Sequence, residues 1–313
     1  MFALDHELII GNKLFPAVKN VELESSNETM SDLLKIDLAY YKKLDPSSIR
    51  PGTPVRFSAG YSQYGIAQEF EGLVNDVSPT QPYSVKCYDY FDSLNGEKIS
   101  RTFTNTEAGS IIQMLLADNS YIDTSEIQMG SYIKYRPYQQ KTKLFVIQDL
   151  AQLSGYVAFM RGNKLIFDKP DRLAPEKIPV YTYGNNLISD TISFSDKGEY
   201  SKIVIVSRFT DGTGKVLRAE KGDGARVKKI VLHDISQGEL YDRLDTLFKQ
   251  YCKGGYAGEI TSFGFPQTTH SQQIQFFDKR YPDKNGQYLV TKNIMTYSDQ
   301  GYRRKLSVVK HEV

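Results

Sequence analysis

The sequence predicts a mainly β protein with an α+β insertion: two barrel-like β domains on either side of a small α+β domain. Three observations lead there. Apolar and polar residues alternate with a period of two over several runs, Leu34, Ile36 and Leu38 among them, which places one face in a core and one in water. The 22 Tyr and 16 Phe, with no Trp, suit pleated surfaces on which aromatic rings pack. Helical spacing accompanied by a capping residue occurs in three short stretches.

Residues 1–97 read as the first β domain. Glu7 to Ile10 and Val18 to Glu24 are short strand-like runs, and Asp32 to Tyr41 alternates as described. Ser47 to Pro54 holds two prolines and a glycine and reads as a turn before a strand over Val55 to Tyr61. Phe70 to Asp76 and Tyr83 to Tyr88 alternate on either side of Pro79 and Pro82, as two strands of a hairpin or meander. Closing these strands into a small barrel would remove exposed sheet edges.

Residues 98–177 change character. A polar connection over Asp89 to Arg101 carries a turn at Asn95-Gly96. Asn105 or Thr106 then offers an N-cap oxygen to a helix over 106–118, whose apolar face is Ile111, Ile112, Leu115 and Leu116. A strand over Ser131 to Tyr135 follows. Thr142 caps a second helix with Leu144, Phe145, Ile147, Leu150, Ala151 and Leu153 apolar, and Gly155 stops it. The hairpin YVAFMRGNKLIF turns at Gly162-Asn163.

Residues 178–313 return to β structure. Lys202 to Arg208 is a strong strand, and the four glycines between Asp211 and Gly224 predict a mobile loop or loose hairpin. Ser236 and Glu239 form a capping box for a helix lined by Leu240, Leu244, Leu247, Phe248 and Tyr251, which Gly254-Gly255 ends. This loop-and-helix insertion spans about 211–256. Strands over Gln273 to Phe277, Gln287 to Thr296 and Arg303 to Lys310 close the chain. No internal repeat of 20 to 50 residues is present.

Composition narrows the function. A net charge of +2 implies no overall nucleic-acid field. Residues 1–199 carry 20 Lys/Arg against 25 Asp/Glu, and residues 200–313 carry 19 against 12, so any positive surface belongs to the C-terminal part. Asp5, His6 and Glu7 interrupt the stretch where a signal peptide needs an apolar core, and no run approaches the ~18 apolar residues of a membrane span. Cys87, inside a strand, reads as a small buried hydrophobe, and two distant cysteines make neither a disulfide framework nor a zinc site.

The four histidines, His6, His233, His270 and His311, stand apart, without metal-ligand spacing. Asp89 and Asp92 flank a turn, where Asp commonly bonds its own backbone, so they are read as structural rather than as a catalytic pair. Gly212-x-Gly214 and Gly222-x-Gly224 lack the Lys-Ser/Thr of a phosphate loop, and there is no G-x-S-x-G elbow. The expectation is no catalytic residue, no cofactor and no metal. Arg218 to Lys229 reads as a solvated basic face. Arg303, Arg304 and Lys305 are the candidate site residues, as a basic channel lining or docking surface.

The order of several phrases resembles the tail-hub family of long-tailed phages and contractile injection machines, the late-control D-like baseplate hubs. The phrases are I-R-P-G-T at Ile49 to Thr53, F-x-G-x-V-x-D-V from Phe70, V-K-C-Y-D-x-F-x-x-L from Val85 and R-T-F-T-N-T from Arg101. They continue with the Gln-rich lead and helix from Tyr138, Y-G-x-N-L from Tyr183, and the closing strands from Gln287. The resemblance implies two tail-tube-type β barrels per chain and a homotrimer whose six barrels form a pseudo-sixfold ring. That ring would join a hexameric tail tube protein to a trimeric spike or tail-tip protein, contact other baseplate proteins, and let DNA or an effector pass. It implies a structural, non-enzymatic protein of the virion tail, assembled in the bacterial cytoplasm without membrane insertion by this chain, with spike and cell-wall hydrolase on separate chains. The alternatives are a carbohydrate-binding adhesin with Tyr-rich surfaces or, further off, a cell-wall hydrolase.

Overall fold

A computed structural model of the chain describes residues 3–27, 29, 31–39, 49–78, 82–169, 177–209, 214–233 and 236–310. The N-terminal strands are β1 (Leu4–Ile10), β2 (Lys13–Phe15), β3 (Val18–Ser26), β4 (Leu33–Leu38), β5 (Pro54–Tyr61), β6 (Gly65–Ser78) and β7 (Tyr83–Asp89). Every strand run read from the sequence in this part is present, most of them longer than the alternation alone marks. The turn expected over Ser47 to Pro54 is present from Ile49 onward, with the Thr53 N–H donating to Arg50 O at 3.1 Å; Ser47, Ser48 and Pro79 lie outside the described residues.

Next come β8 (Lys98–Glu107), α1 (Ala108–Leu116), β9 (Tyr132–Thr142), α2 (Lys143–Ser154), β10 (Val157–Arg161) and β11 (Lys164–Asp168). β8 pairs with β9 and β10 with β11, and α1 and α2 bury Ile111, Ile112, Leu115, Leu144, Ile147 and Leu150 in a core of their own. Thr142 caps α2 by accepting the Phe145 N–H at 3.1 Å, and Gly155 ends it in the left-handed region at φ +67°. The first helix departs from expectation. Asn105 and Thr106 continue β8, with Thr106 opposite Ile133, and α1 starts at Ala108 without a side-chain cap. Backbone carbonyls do the capping instead: the Ala108 N–H donates to Ser131 O at 3.0 Å and the Gly109 N–H to Met129 O at 2.6 Å.

The C-terminal part holds β12 (Val180–Thr182), β13 (Leu187–Asp190), β14 (Ser193–Lys197), β15 (Lys202–Arg208), β16 (Val216–Gly222), β17 (Val227–His233), α3 (Gln237–Cys252), β18 (Lys253–Phe263), β19 (Gln273–Phe277), β20 (Gly286–Ser298) and β21 (Gly301–Lys310). The capping box is formed as read, with Glu239 accepting from the Ser236 N–H at 3.0 Å. Of the two expectations for the glycine-rich stretch, the hairpin is the one found: Val216–Gly222 is a strand in antiparallel register against β15, and residues 210–213 lie outside the described part. The eleven-residue β18 gave no alternating signal. Its Gly254 lies so close to β14 that an added Cβ would sit 2.0 Å from Ser195 O.

The N- and C-terminal parts do not form separate sheets. One 14-stranded sheet runs β13-β18-β21-β20-β3-β4-β7-β6-β5-β1-β2, with β12, β14 and β19 branching from it, and this path does not close on itself among the described residues. The join is antiparallel pairing of β3 with β20, from Asn20 opposite Ser298 to Ser26 opposite Lys292. Met295, Tyr297 and Tyr302 accordingly belong to the core that Leu8, Val21, Ile36 and Phe57 build. Strand pairing satisfies the backbone across the join, and these aromatic side chains bury apolar surface on its inner face.

Candidate functional site

The segment Gly264–Gln272 connects β18 to β19 and touches three parts of the molecule. Gln267 Nε2 donates to the carbonyl of Gln68 on β6 at 2.5 Å, Thr268 Oγ1 lies 2.7 Å from the Tyr181 hydroxyl on β12, and His270 packs edge-on against Phe159 of β10 with centroids 4.8 Å apart. The loop holds its own shape through Gln272, whose side-chain oxygen accepts the Thr269 N–H at 3.1 Å, and through the Ser271 N–H donating to Val290 O at 2.8 Å. Gly264 is required by close approach: a Cβ there would meet the Tyr302 ring at 2.1 Å.

One end of this loop is organised by Arg304, whose side chain is fully buried and pairs with the equally buried Glu69 of β6. Arg304 Nε donates to Gly264 O at 2.7 Å, Nη1 to Thr268 O at 3.2 Å, and Nη2 to Glu69 and to the Tyr302 hydroxyl. The Tyr302 hydroxyl donates to the same Glu69 carboxylate. A planar guanidinium can serve two carbonyls, a phenol and a carboxylate at once, which a lysine ammonium cannot. Burial raises the Tyr302 phenol well above its ordinary value, so it stays a donor.

The other end is organised by His270, Asp32 and Asp89. Asp89 terminates β7 and accepts the N–H groups of Asp32 and Phe91, each at 3.0 Å; the second is the local turn bond expected of it. His270 Nε2 stands 3.8 Å from Asp32 Oδ1, too far for a hydrogen bond, while Nδ1 lies 3.1 Å from Ser271 Oγ. Burial pushes Asp89 up to about 7 against the pull of those backbone donors, and burial together with the neighbouring Asp89 charge raises Asp32 well above the carboxylate range. His270 is pushed down to about 4 by burial and then by Arg161, so the imidazole is neutral at pH 7. Among the described residues, neither acid is paired with a lysine or arginine.

The three basic residues singled out from the sequence separate here. Successive strand residues face opposite sides, so Arg304 points inward and is neutralised within the chain, which removes it from any channel lining or docking surface. Arg303 lies over the Phe263 ring at 4.8 Å, and Lys305 is exposed and pairs with Glu259 at 2.8 Å. Glu69, Tyr302, Asp32 and His270 carry no motif, and only the strand period at Arg303-Arg304-Lys305 could have marked the middle residue as the inward one. Beside the Arg304 end, Tyr64 and Phe265 stack at 5.4 Å in an open cleft that also takes in Tyr61 and Gln267. Among the described residues no cluster of His, Cys, Asp and Glu is arranged to hold a metal ion.

Neither a protein-family model nor a curated protein sequence matches the chain. Solved structures do. A 43 kDa tail protein of prophage MuSo2 from Shewanella oneidensis superposes with a TM-score of 0.68 at 16% identity, over 97% of this chain and 97% of its own. A tail protein from Neisseria meningitidis MC58 gives 0.70 at 11% identity, over 99% and 97%. The Escherichia coli c3393 protein, a type VI secretion component with similarity to the T4 tail proteins gp27 and gp5, gives 0.66 at 10% identity, over 97% and 77%. At these identities the likeness is one of fold, and it runs the length of the chain.

Proposed function

We propose that this chain is a structural tail hub: a homotrimer whose three copies present six β units in a pseudo-sixfold ring between a hexameric tail tube and a trimeric spike or tail tip. The observation that carries the reading is the end-to-end fold shared with phage tail proteins, one of them covered over 97% of both chains. The division into 1–97, 98–177 and 178–313 belongs to the same reading, the outer parts each supplying one β unit and the middle part standing between them. The continuous hydrogen-bonded join of β3 to β20 supports it mechanically, because a symmetry adaptor needs its two β units held at a constant angle. Arg303 and Lys305 remain the basic positions for a channel or docking role. DNA or an effector would pass through the ring, and the reading assigns no catalytic residue and no cofactor.

The test is the solution mass by light scattering, alone and with the candidate spike. A species of three times 35.6 kDa is expected. A monomer under both conditions overturns the ring and leaves the fold without this role.

A further inference from the structure

The positive charge of the C-terminal part is concentrated in its insertion. Residues 200–233 carry eight Lys/Arg against three Asp/Glu, whereas residues 1–199 carry an acidic excess. This stretch forms a sheet of its own, in the order β16-β15-β17, and among the described residues each outer strand pairs only with β15. α3 covers one face, packing on Ile203, Ile205, Ala219 and Leu232. The bases on that face are engaged within the chain: Lys221 pairs with Asp245 at 2.7 Å, and the Lys228 ammonium lies 3.6 Å from the centroid of the Tyr251 ring.

On the opposite face the register sets Lys229 of β17 and Glu220 of β16 on either side of Val204, and Val231 and Arg218 on either side of Val206. Glu220 accepts from Lys202 at 2.9 Å and from Arg218 at 2.7 Å, so the β16 side is close to balanced. β17 holds no acid. Lys229 is exposed and has no ion pair among the described residues, and it stands between the half-buried Val231 and Val227, which is 44% exposed.

We propose that the outer edge of β17 is a docking site for an extended acidic segment of a partner protein, which adds to this sheet as a further strand. An edge strand offers a row of backbone N–H and C=O groups to any extended chain, and its side chains decide which chain is accepted. Here they work against self-association: pairing with the same edge of a second copy would bring Lys228 and Lys229 against their counterparts, and like charges across strands repel. A carboxylate opposite Lys229, flanked two residues away on each side by β-branched residues opposite Val227 and Val231, satisfies both the charge and the apolar positions. A nucleic-acid backbone would satisfy the charge alone and leave the valines against phosphates. The site stands or falls independently of the trimeric ring.

The experiment is fluorescence anisotropy of the full chain with labelled probes: a short peptide in which Glu alternates with Val, the same peptide with Lys in place of Glu, and a DNA duplex. The Glu–Val peptide should bind with an affinity that falls as salt rises, and the Lys–Val peptide should not bind. Lys229→Glu should weaken binding by roughly tenfold, because it replaces an attraction by a repulsion, while Arg218→Glu on the opposite edge should leave it nearly unchanged. In hydrogen exchange the bound peptide should slow amides of β17 and not those of β16. Failure of the Glu–Val peptide to bind, equal binding of the Lys–Val peptide, or unchanged affinity in Lys229→Glu overturns the site. Tighter binding of the duplex overturns it as well and assigns the face to phosphates. Should Lys229→Glu fail to fold, Lys229→Gln, with a smaller loss of affinity, decides in its place.

Discussion

At the Arg304 end of the Gly264–Gln272 loop, one guanidinium meets one carboxylate and every strong donor finds an acceptor. At the His270 end, two carboxylates meet an imidazole that burial keeps neutral. The first end ties the N-terminal sheet to the C-terminal part through buried hydrogen bonds, whereas at the second His270 Nε2 stands 3.8 Å from Asp32 Oδ1. The first is neutral by pairing and independent of pH across the physiological range. The second is neutral only while it holds a proton.

The strongest way to break this contrast is to unpair the Arg304 end. Glu69→Gln leaves a buried guanidinium without its counter-charge, and the unfolding free energy should fall by about 3–5 kcal/mol, read from denaturant midpoints. Arg304→Met on that background removes the stranded charge and should recover part of the loss. Recovery is incomplete because the carbonyls of Gly264 and Thr268 lose their donor. A Glu69→Gln cost no larger than a surface substitution would show that the pair is not what holds the loop.

Gly264→Ala probes the same end by sterics. The added methyl would overlap the Tyr302 ring, which cannot yield without moving the hydroxyl from Glu69 and Arg304. The expected cost is about 1–3 kcal/mol, measured by thermal melts. The His270 end sharpens the contrast through pH. The raised Asp89 carboxyl should make the wild type lose stability as pH rises from the ordinary carboxylate range to about 7, because over that range the folded state keeps a proton that the unfolded acid has released. Asp32→Asn should be more stable than the wild type at pH 8, and Glu69→Gln should show the wild-type pH slope.

Much of this architecture was legible in local pattern. Period two located the strands of residues 4–89, and Thr142, Gly155, Ser236 and Glu239 marked helix ends because their signals are local chemistry. Asn105 and Thr106 misled for a physical reason: capping of α1 comes from the carbonyls of Ser131 and Met129, which are brought there by tertiary structure and leave no mark on residue type. Between a mobile loop and a hairpin around Asp211–Gly224 the sequence does not choose; pairing of Val216–Gly222 with β15 does. The β3–β20 join was invisible, since residues some 270 positions apart carry no pairing code in one sequence. The loop cluster failed to announce itself for the same reason: Glu69, Arg304, Asp32 and His270 are ordinary residues until folding buries them together.

The smallest effect on stability is expected at Lys305, and it separates folding from assembly. Its ammonium pairs with Glu259 on the neighbouring strand while both side chains remain nearly half exposed, a geometry worth about 0–1 kcal/mol. Lys305→Ala should therefore leave the melting temperature within a degree or two of wild type. Arg303→Ala loses packing over Phe263 as well and should cost slightly more. Arg304→Ala, one residue away, would strand the buried Glu69 carboxylate and destabilise the fold, so it cannot separate docking from folding. If the outward pair serves a channel or partner surface, Arg303→Glu with Lys305→Glu should leave the monomer's melt largely intact while reducing the yield of assembled particles or genome delivery. Unchanged particle yield and infectivity from a folded double variant would confine both residues to the ordinary charged face of β21.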